Sequence, residues 1–259
     1  MHTMPAIFVS HGAPTLSLEP VKARDFLRGL GRRIAKPKAI LAISAHWETD
    51  VPTVSRVKQP ETIHDFFGFP QDLYRLRYPA PGAPELAKRV AELLDVAGFA
   101  ADTSADRGLD HGAWVPLMLA YADADVPVTQ LSIQTRRGPQ WHWRLGEALR
   151  PLRNEGVLIL ASGSATHNLR EFGRQGRDAA PLPYVAAFND WLVDAVTAGR
   201  LDDLIDYRSR APEAARNHPT EEHLLPLFVA VGAGSTGRGE RLHASYTYGA
   251  LAMDVYRFD

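Results

Sequence analysis

The chain contains no cysteine. That absence excludes structural disulfides, thiolate zinc sites, Cys-ligated iron–sulfur clusters and cysteine nucleophiles. Any metal held here must be bound through nitrogen and oxygen, a donor set that suits iron(II), zinc or manganese. An excess of one charge is also missing. The 29 Lys and Arg residues against 30 Asp and Glu leave a formal net charge of −1, so neither a nucleic-acid footprint nor a polybasic membrane surface is indicated. No hydrophobic run is long enough to span a bilayer, and MHTMPAIFV lacks the basic and apolar regions of a secretion signal. A cytoplasmic protein is therefore expected. Linkers, internal repeats and biased tracts are absent as well, so one domain over residues 1–259 is the expectation. With 45% hydrophobic residues, a chain of this length can bury a sizeable core.

Three stretches organise what is present. AILAISAHWE (Ala39 to Glu48) opens with an apolar run of the kind buried on both faces of a sheet and ends abruptly in Ser44, Ala45 and His46. PAIFVSHG (Pro5 to Gly12) repeats the pattern with Ser10 and His11, and GVLILASGSATHN (Gly156 to Asn168) repeats it with His167. Open α/β folds place ligands beyond the carboxyl ends of such strands. Three buried strands that each hand a histidine to one sheet edge point to a metal site.

Between these stretches the pattern is helical. Helices are predicted from about Val21 to Ile34, from Pro84 with Gly98 just past its end, and from a cap at Asp110 through Leu119. Further helices are expected after Pro139 and Pro183, around Leu201 to Tyr207, and from Thr220 as N-cap. Strands are expected at Phe99 to Thr103, Val126 to Ile133 and one or two within ASYTYGALAMDVYRF. Strands alternating with helices predict a single α/β domain with a largely parallel central sheet, helices on both faces and the metal site at the strand C-terminal ends. The long segment Thr49 to Pro84 is rich in Pro, Gly and aromatics and lacks clear periodicity, which marks it as a lid over the substrate.

The histidines differ in context. His11 and His46, mounted on rigid strand ends, are expected to be ligands. His167 is either a ligand or a base beside the metal. With Thr220 as cap, His223 falls in the first turn of a helix, whose positive end keeps the ring neutral and able to coordinate. Its neighbours Glu221 and Glu222 offer a carboxylate alternative, but charge complementarity at a helix start is the main explanation for both. His111 sits at a helix start and can be a cap or a pocket residue. His64 lies among aromatics on the lid. Trp47, Trp114, Phe66, Phe67 and Phe69 would make an aromatic pocket. His142 is expected at the surface of an amphipathic helix, and His2, His218 and His243 have no comparable context.

SHGAP, SAHWE, TIHDFFGFP, LYRLRYPAPG, LDHGAWVPL, ASGSATHNL and HPTEEHLLPL, in this order, resemble the extradiol dioxygenases of the LigB type. The branch containing the DOPA 4,5-dioxygenases is the most similar. The resemblance runs from about Pro5 to Phe258 and implies a single α/β domain, a non-haem metal, and opening of a catechol ring by O₂ beside the two hydroxyls. It places the metal at His11, His46, His167 and His223 and makes His111 and His64 pocket histidines, His111 the better candidate for catalysis; His167 is assigned as base if it is not a ligand, and Trp47 and Trp114 join His64 as expected substrate contacts from their aromatic character. Fe(II) is the cofactor it implies. The carboxylate ligand of the broader family has His223 in its place here, with Glu222 adjacent, and an all-histidine site also suits Zn(II). The implied partners are a small catechol and O₂, acting on a monomer or homodimer. Two other readings of the residues are a zinc-dependent hydrolase, for which no H-E-x-x-H arrangement supplies a base, and a metal-binding scaffold without catalysis. Arg75, Arg77, Arg136, Arg137 and Arg170 are all candidates to meet a substrate carboxylate.

Overall fold

The three apolar runs fold as strands lying side by side. In a computed structural model that describes residues 3–259, they become β1 (Ala6–Ser10), β2 (Ala39–Glu48) and β6 (Val157–Gly163). Between them in sequence come β3 (Thr53–Ser55), β4 (Asp102–Ser104) and β5 (Val128–Ile133). The chain ends in β7 (Gly239–His243), β8 (Tyr246–Thr247), β9 (Leu251–Ala252) and β10 (Val255–Phe258). Eight strands form one sheet in the order β4-β3-β5-β2-β6-β1-β10-β7. Its centre is parallel: β6 pairs with β1 on one side and β2 on the other, bringing Gly163 level with Ser10 and Ser162 level with Ser44. Towards β10 and β7 the pairing turns antiparallel. His2 lies outside the described residues.

Burial explains the apolar runs. Side chains alternate across a strand, and here both faces are covered. Phe8, Leu41, Ile43 and Ile159 pack on the side of the helices Pro84–Val96, Gly138–Leu149, Pro183–Ala198 and Leu225–Ala233. Ile7, Val9, Ile40, Leu158 and Leu160 pack on the side of Lys22–Arg33 and His111–Ala120. Each fully buried Leu, Ile or Val contributes roughly 1.5–3 kcal/mol, so the centre of the sheet is a stiff platform. No helix among the described residues is long and apolar enough to cross a membrane.

Four local expectations need correction. The helix expected from Thr220 begins only at Leu225. Pro226 stands in the first turn of that helix, where its missing N–H costs no ladder bond, and His223 is left in the turn before it. The predicted strand at Phe99 to Thr103 shrinks to Asp102–Ser104, because Phe99 is buried edge-on against Trp141. His142 is fully buried rather than at the surface. It accepts from the Gln134 backbone N–H at 3.1 Å and donates to the Gly138 carbonyl at 2.7 Å, stitching β5 to the next helix. Finally, β7 was not expected: its sequence GERLH is charged, as suits a sheet edge.

Candidate metal centre and its cavity

His11 follows β1 directly, and His46 lies where the β2–β5 register slips between Ile43 and Glu48. Such an irregularity re-aims a side chain out of the pleat. His223 comes from the turn before Leu225, anchored where its carbonyl accepts the Ser164 N–H at 2.8 Å. This close approach requires Gly163, since a Cβ there would lie 2.1 Å from the His223 carbonyl oxygen. The three rings converge. His11 Nε2 lies 3.1 Å from His46 Nε2, and His223 Nε2 lies 3.3 Å from the same atom.

Their other nitrogens are committed elsewhere. The Ser162 hydroxyl donates to the Gly112 carbonyl, so it can only accept from His11, whose Nδ1–H donates to Ser162 Oγ at 2.9 Å. That carbonyl is available because Pro116, four residues on in the helix His111–Ala120, has no N–H to bond it. His223 donates from Nδ1 to Glu222 at 3.0 Å. His46 Nδ1 faces the Asp65 carboxylate at 3.6 Å. Two of the three rings therefore present an Nε2 lone pair to the common centre, and His46 can satisfy only one of them by donating. Protonation does not resolve the conflict: burial, reinforced by the neighbouring imidazoles, holds His11 and His223 well below the usual imidazole range and His46 at about 4. Three neutral imidazoles, two buried and one half-buried, whose Nε2 atoms converge fit a divalent transition metal.

Two further histidines flank this centre. His111 is the first residue of its helix, behind Asp110, whose carboxylate accepts the Ala113 N–H at 3.2 Å as N-cap. The same carboxylate takes Ser44 Oγ at 2.6 Å, Arg107 at 2.7 Å and the Gln130 amide, so one buried group ties β2, β5 and the helix together. Gly112 permits this packing; a Cβ there would lie 2.4 Å from Ser44 Oγ and 2.9 Å from the His46 ring. The His111 Nδ1–H donates to Asp65 at 2.9 Å, as does its backbone N–H at 3.0 Å. Burial alone would push the Asp65 carboxyl up, but these bonds outweigh it and hold the group at about 2. The His111 ring lies 4.0 Å from that of His46. His167 stacks flat on His223 with ring centres 3.4 Å apart. Burial, with His218 next, lowers its pKa to about 3. Its loop is clamped by the 217–218 segment: Asn217 O accepts the His167 N–H at 2.9 Å, and the His218 ring donates to the Ala165 carbonyl at 2.9 Å.

All five histidines line one cavity of about 280 Å³. Its remaining wall includes Pro14, Phe66, Phe69, Leu169, Phe172 and Leu251. The other sequence candidates stand apart. His64 turns away, against the Leu76 carbonyl at 3.1 Å and Arg77 at 3.3 Å. It is its neighbour Asp65 that reaches the centre. Trp47 is buried beneath the Arg107 guanidinium, and Trp114 is fully buried with its Nε1–H on the Ile63 carbonyl at 2.9 Å. Neither tryptophan lines the cavity, and Phe67 is 92% exposed. Glu222, set down above mainly as a helix-start charge, instead holds His223, and Glu221 accepts from the Tyr207 hydroxyl at 2.9 Å. Ser162 and Asp65 were missed as partners of the histidines. Asp65 carried a faint signal in its acidic place beside His64, and Ser162 in a polar side chain near the end of an apolar run.

Comparison with known proteins gives a consistent result. The model of the catalytic LigB subunit of aromatic ring-opening dioxygenase matches residues 5–258. A 4,5-DOPA dioxygenase extradiol from Beta vulgaris is 46% identical over 256 residues, covering 97% of this chain and 95% of that protein. One of the same name from Escherichia coli K12 is 41% identical, covering 89% and 85%. The crystal structure of an uncharacterized protein from Escherichia coli K12 superposes with a TM-score of 0.82 at 32% identity, covering 99% of this chain and all of the other.

Proposed function

The chain belongs to the LigB family of aromatic ring-opening dioxygenases, and from that premise we propose that it cleaves a side-chain-bearing catechol of the DOPA type beside its two hydroxyls. In the overall reaction the bond between a hydroxylated carbon and its unsubstituted neighbour breaks. Both atoms of O₂ enter the product, one cleaved carbon becoming an aldehyde and the other a carboxyl, so no external reductant is consumed. The observation that carries the reading is the convergence of the His11, His46 and His223 Nε2 atoms on the floor of an apolar cavity flanked by two more histidines.

His11, His46 and His223 would hold iron(II), and zinc suits the same nitrogens. When bound, the metal would supply the Lewis acidity that lowers the pKa of a catechol hydroxyl and the redox chemistry that engages O₂. The protein's own contribution is proton management and exclusion of water. His167, neutral and stacked beside His223, accepts the hydroxyl proton as the catechol binds. The growing negative charge of the catecholate raises the basicity of that ring. His111 keeps its proton at Nδ1 on Asp65 and turns Nε2 to the substrate as a positioned hydrogen-bond acceptor, and the proton held by His167 is returned to the product. Phe66, Phe69 and Phe172 hold the ring in a water-poor space.

The test uses metal-free protein prepared anaerobically and loaded separately with iron(II) or zinc. Each form is given DOPA and simple catechols while O₂ uptake and visible absorbance are followed. Stoichiometric uptake with a coloured ring-fission product in the iron form is the expected result. Tight metal binding with no uptake for any catechol, together with hydrolysis of an ester or amide panel, would replace the reading with a zinc hydrolase.

A further inference from the structure

The wall of the cavity is assembled from separate stretches of chain. Leu169 and Phe172 belong to the 168–182 strap, which leaves the floor at His167, while Pro14 follows His11 and Leu251 opens β9. Tyr248, in the turn just before β9, ties these stretches together. Its hydroxyl donates to Glu19 Oε1 at 2.9 Å, and its ring meets Phe172 edge-on with ring centres 4.9 Å apart. Its backbone N–H donates to the Arg177 carbonyl at 2.8 Å.

The backbone of Tyr248 is strained. In the 248–250 turn between β8 and β9, Tyr248 and Gly249 have φ of +57° and +63°. Glycine adopts such angles freely, and Asn or Asp is the ordinary occupant beside it in a tight hairpin turn. A tyrosine stays in this left-handed conformation only when its surroundings hold it there. Here the holding contacts are Glu19 at the hydroxyl and Phe172 at the ring.

The strap has little else to fasten it. Both of its long-range backbone bonds run to the same turn: the Tyr248 N–H on the Arg177 carbonyl, and the Leu182 N–H on the Gly249 carbonyl at 2.9 Å. Its other backbone bonds close local turns, such as the Phe172 N–H on the Leu169 carbonyl at 3.2 Å. A Cβ at Gly173 or Gly176 would meet no atom within 4 Å. A segment with so few outside bonds opens locally at low cost.

We propose that Tyr248 is a positioning residue for substrate binding: its bond to Glu19 latches the strap shut and keeps Leu169 and Phe172 in place as cavity wall. Tyr248 lines no part of the cavity and acts through Phe172. The consequence for turnover rests on the ring-cleavage reading and deepens it; the latch itself stands independently. A hydrogen bond to a charged acceptor shifts an equilibrium by roughly tenfold or more, so its loss opens the strap about that much more often. Substrate then meets an incomplete wall in the open fraction, which lowers apparent affinity and leaves the chemistry of the floor alone.

Tyr248→Phe keeps the ring against Phe172 and removes only the hydroxyl, and Glu19→Ala removes the same bond from its other end. Trypsin digestion of the zinc-loaded protein, with fragments mapped by mass, reads opening through cleavage after Arg170, Arg174 and Arg177. Each variant should be nicked there about tenfold faster than the parent. The double variant should be nicked no faster than either single, since one bond is lost in all three. In the iron-loaded enzyme KM for DOPA should rise severalfold with kcat unchanged, and the zinc Kd in a chelator competition should not move. An unchanged nicking rate or additive effects in the double variant would overturn the latch. Faster nicking at unchanged KM, or a fall in kcat and metal affinity in step with KM, would overturn the positioning role. Absence of O₂ uptake by the parent enzyme with every catechol would remove the ring-cleavage reading, and the nicking comparison would still decide the latch.

Discussion

The floor and the mouth of this cavity are built on opposite principles. Every histidine of the floor is held at a second atom: His11 by Ser162, His111 by Asp65, His223 by Glu222, and His167 and His46 through their backbones, the first on Asn217 and the second on Ser44 and Arg107. The rings sit on or against the parallel centre of the sheet, where backbone and side chains are over-determined. The mouth has none of this. Leu169 and Phe172 come from a loop without regular structure, Phe66 and Phe69 from the segment after β3, and they touch the cavity through apolar surface alone. A metal site needs ligand atoms held to within about 0.5 Å, whereas an apolar wall need only exclude water. Chemistry is therefore fixed by the rigid half, and substrate choice is free to be set in the soft half.

The contrast is broken most severely from the floor. Replacing His46, to which both other Nε2 atoms converge, with Ala should abolish stoichiometric metal binding, measured by metal analysis after dialysis, and ring cleavage with it. His111→Ala and His167→Ala should keep the metal and lose about 10²–10⁴-fold in kcat, the usual worth of a positioned acid or base. Full turnover by His111→Ala with substrate in excess would remove that residue from the mechanism. Next in size is Ser162→Ala. It frees the His11 ring to take the wrong tautomer, and metal affinity should fall about 10–100-fold while the fold remains; an unchanged Kd in a chelator competition would mean that β1 alone orients the ring.

The same division explains what could be read from the sequence. The apolar runs of β1, β2 and β6 stop at His11, His46 and the turn before His167, and a run that stops abruptly is a local signal. That these strands are neighbours in the order β2-β6-β1 is not local, since nothing in a strand states its partner. His223 was legible as a site residue, yet its helical setting was misjudged: the helix His111–Ala120 carries Pro116 six residues past its cap, so Pro226 at the same offset from Thr220 did not by itself place the helix start. Asp65 and His64 are adjacent in an irregular segment, where no periodicity decides which side chain turns inward. His142 is buried because a backbone N–H at Gln134 needs an acceptor, a demand visible only once β5 is placed. Phe172 and Leu251 are apolar residues in short connections, without any mark to separate wall from core.

Acid should expose the energetic side of this burial. His142 and His218 lie outside the metal centre, and burial lowers each from an ordinary 6.5 to about 4. Below pH 6.5 the unfolded chain takes up protons at both positions while the folded chain does not until about pH 4. The stability they confer is thus complete above pH 6.5 and drains away as pH falls towards 4. The loss is on the order of 3 kcal/mol apiece. Urea unfolding of metal-free protein at pH 7, 5.5 and 4.5 reads it together with the like contribution of the lowered cavity histidines, and a flat profile would show that the buried rings take up protons as readily in the fold as in the unfolded chain.

The smallest expected effect lies at the mouth. Phe67 is 92% exposed, next to Gly68 with its φ of +77°, while Phe66 and Phe69 on either side turn inward. The glycine allows the backbone a left-handed turn at that point, and Phe67 is the residue left outside it. Phe67→Ser removes a side chain that touches neither histidine nor cavity wall, so stability should stay within about 0.5 kcal/mol and kcat/KM with DOPA should be unchanged. Should kcat/KM fall severalfold at unchanged stability, this aromatic would have to fold over the bound substrate. The mouth would then be a closing element, with ordered states of its own, and the division between a fixed floor and a passive wall would no longer hold.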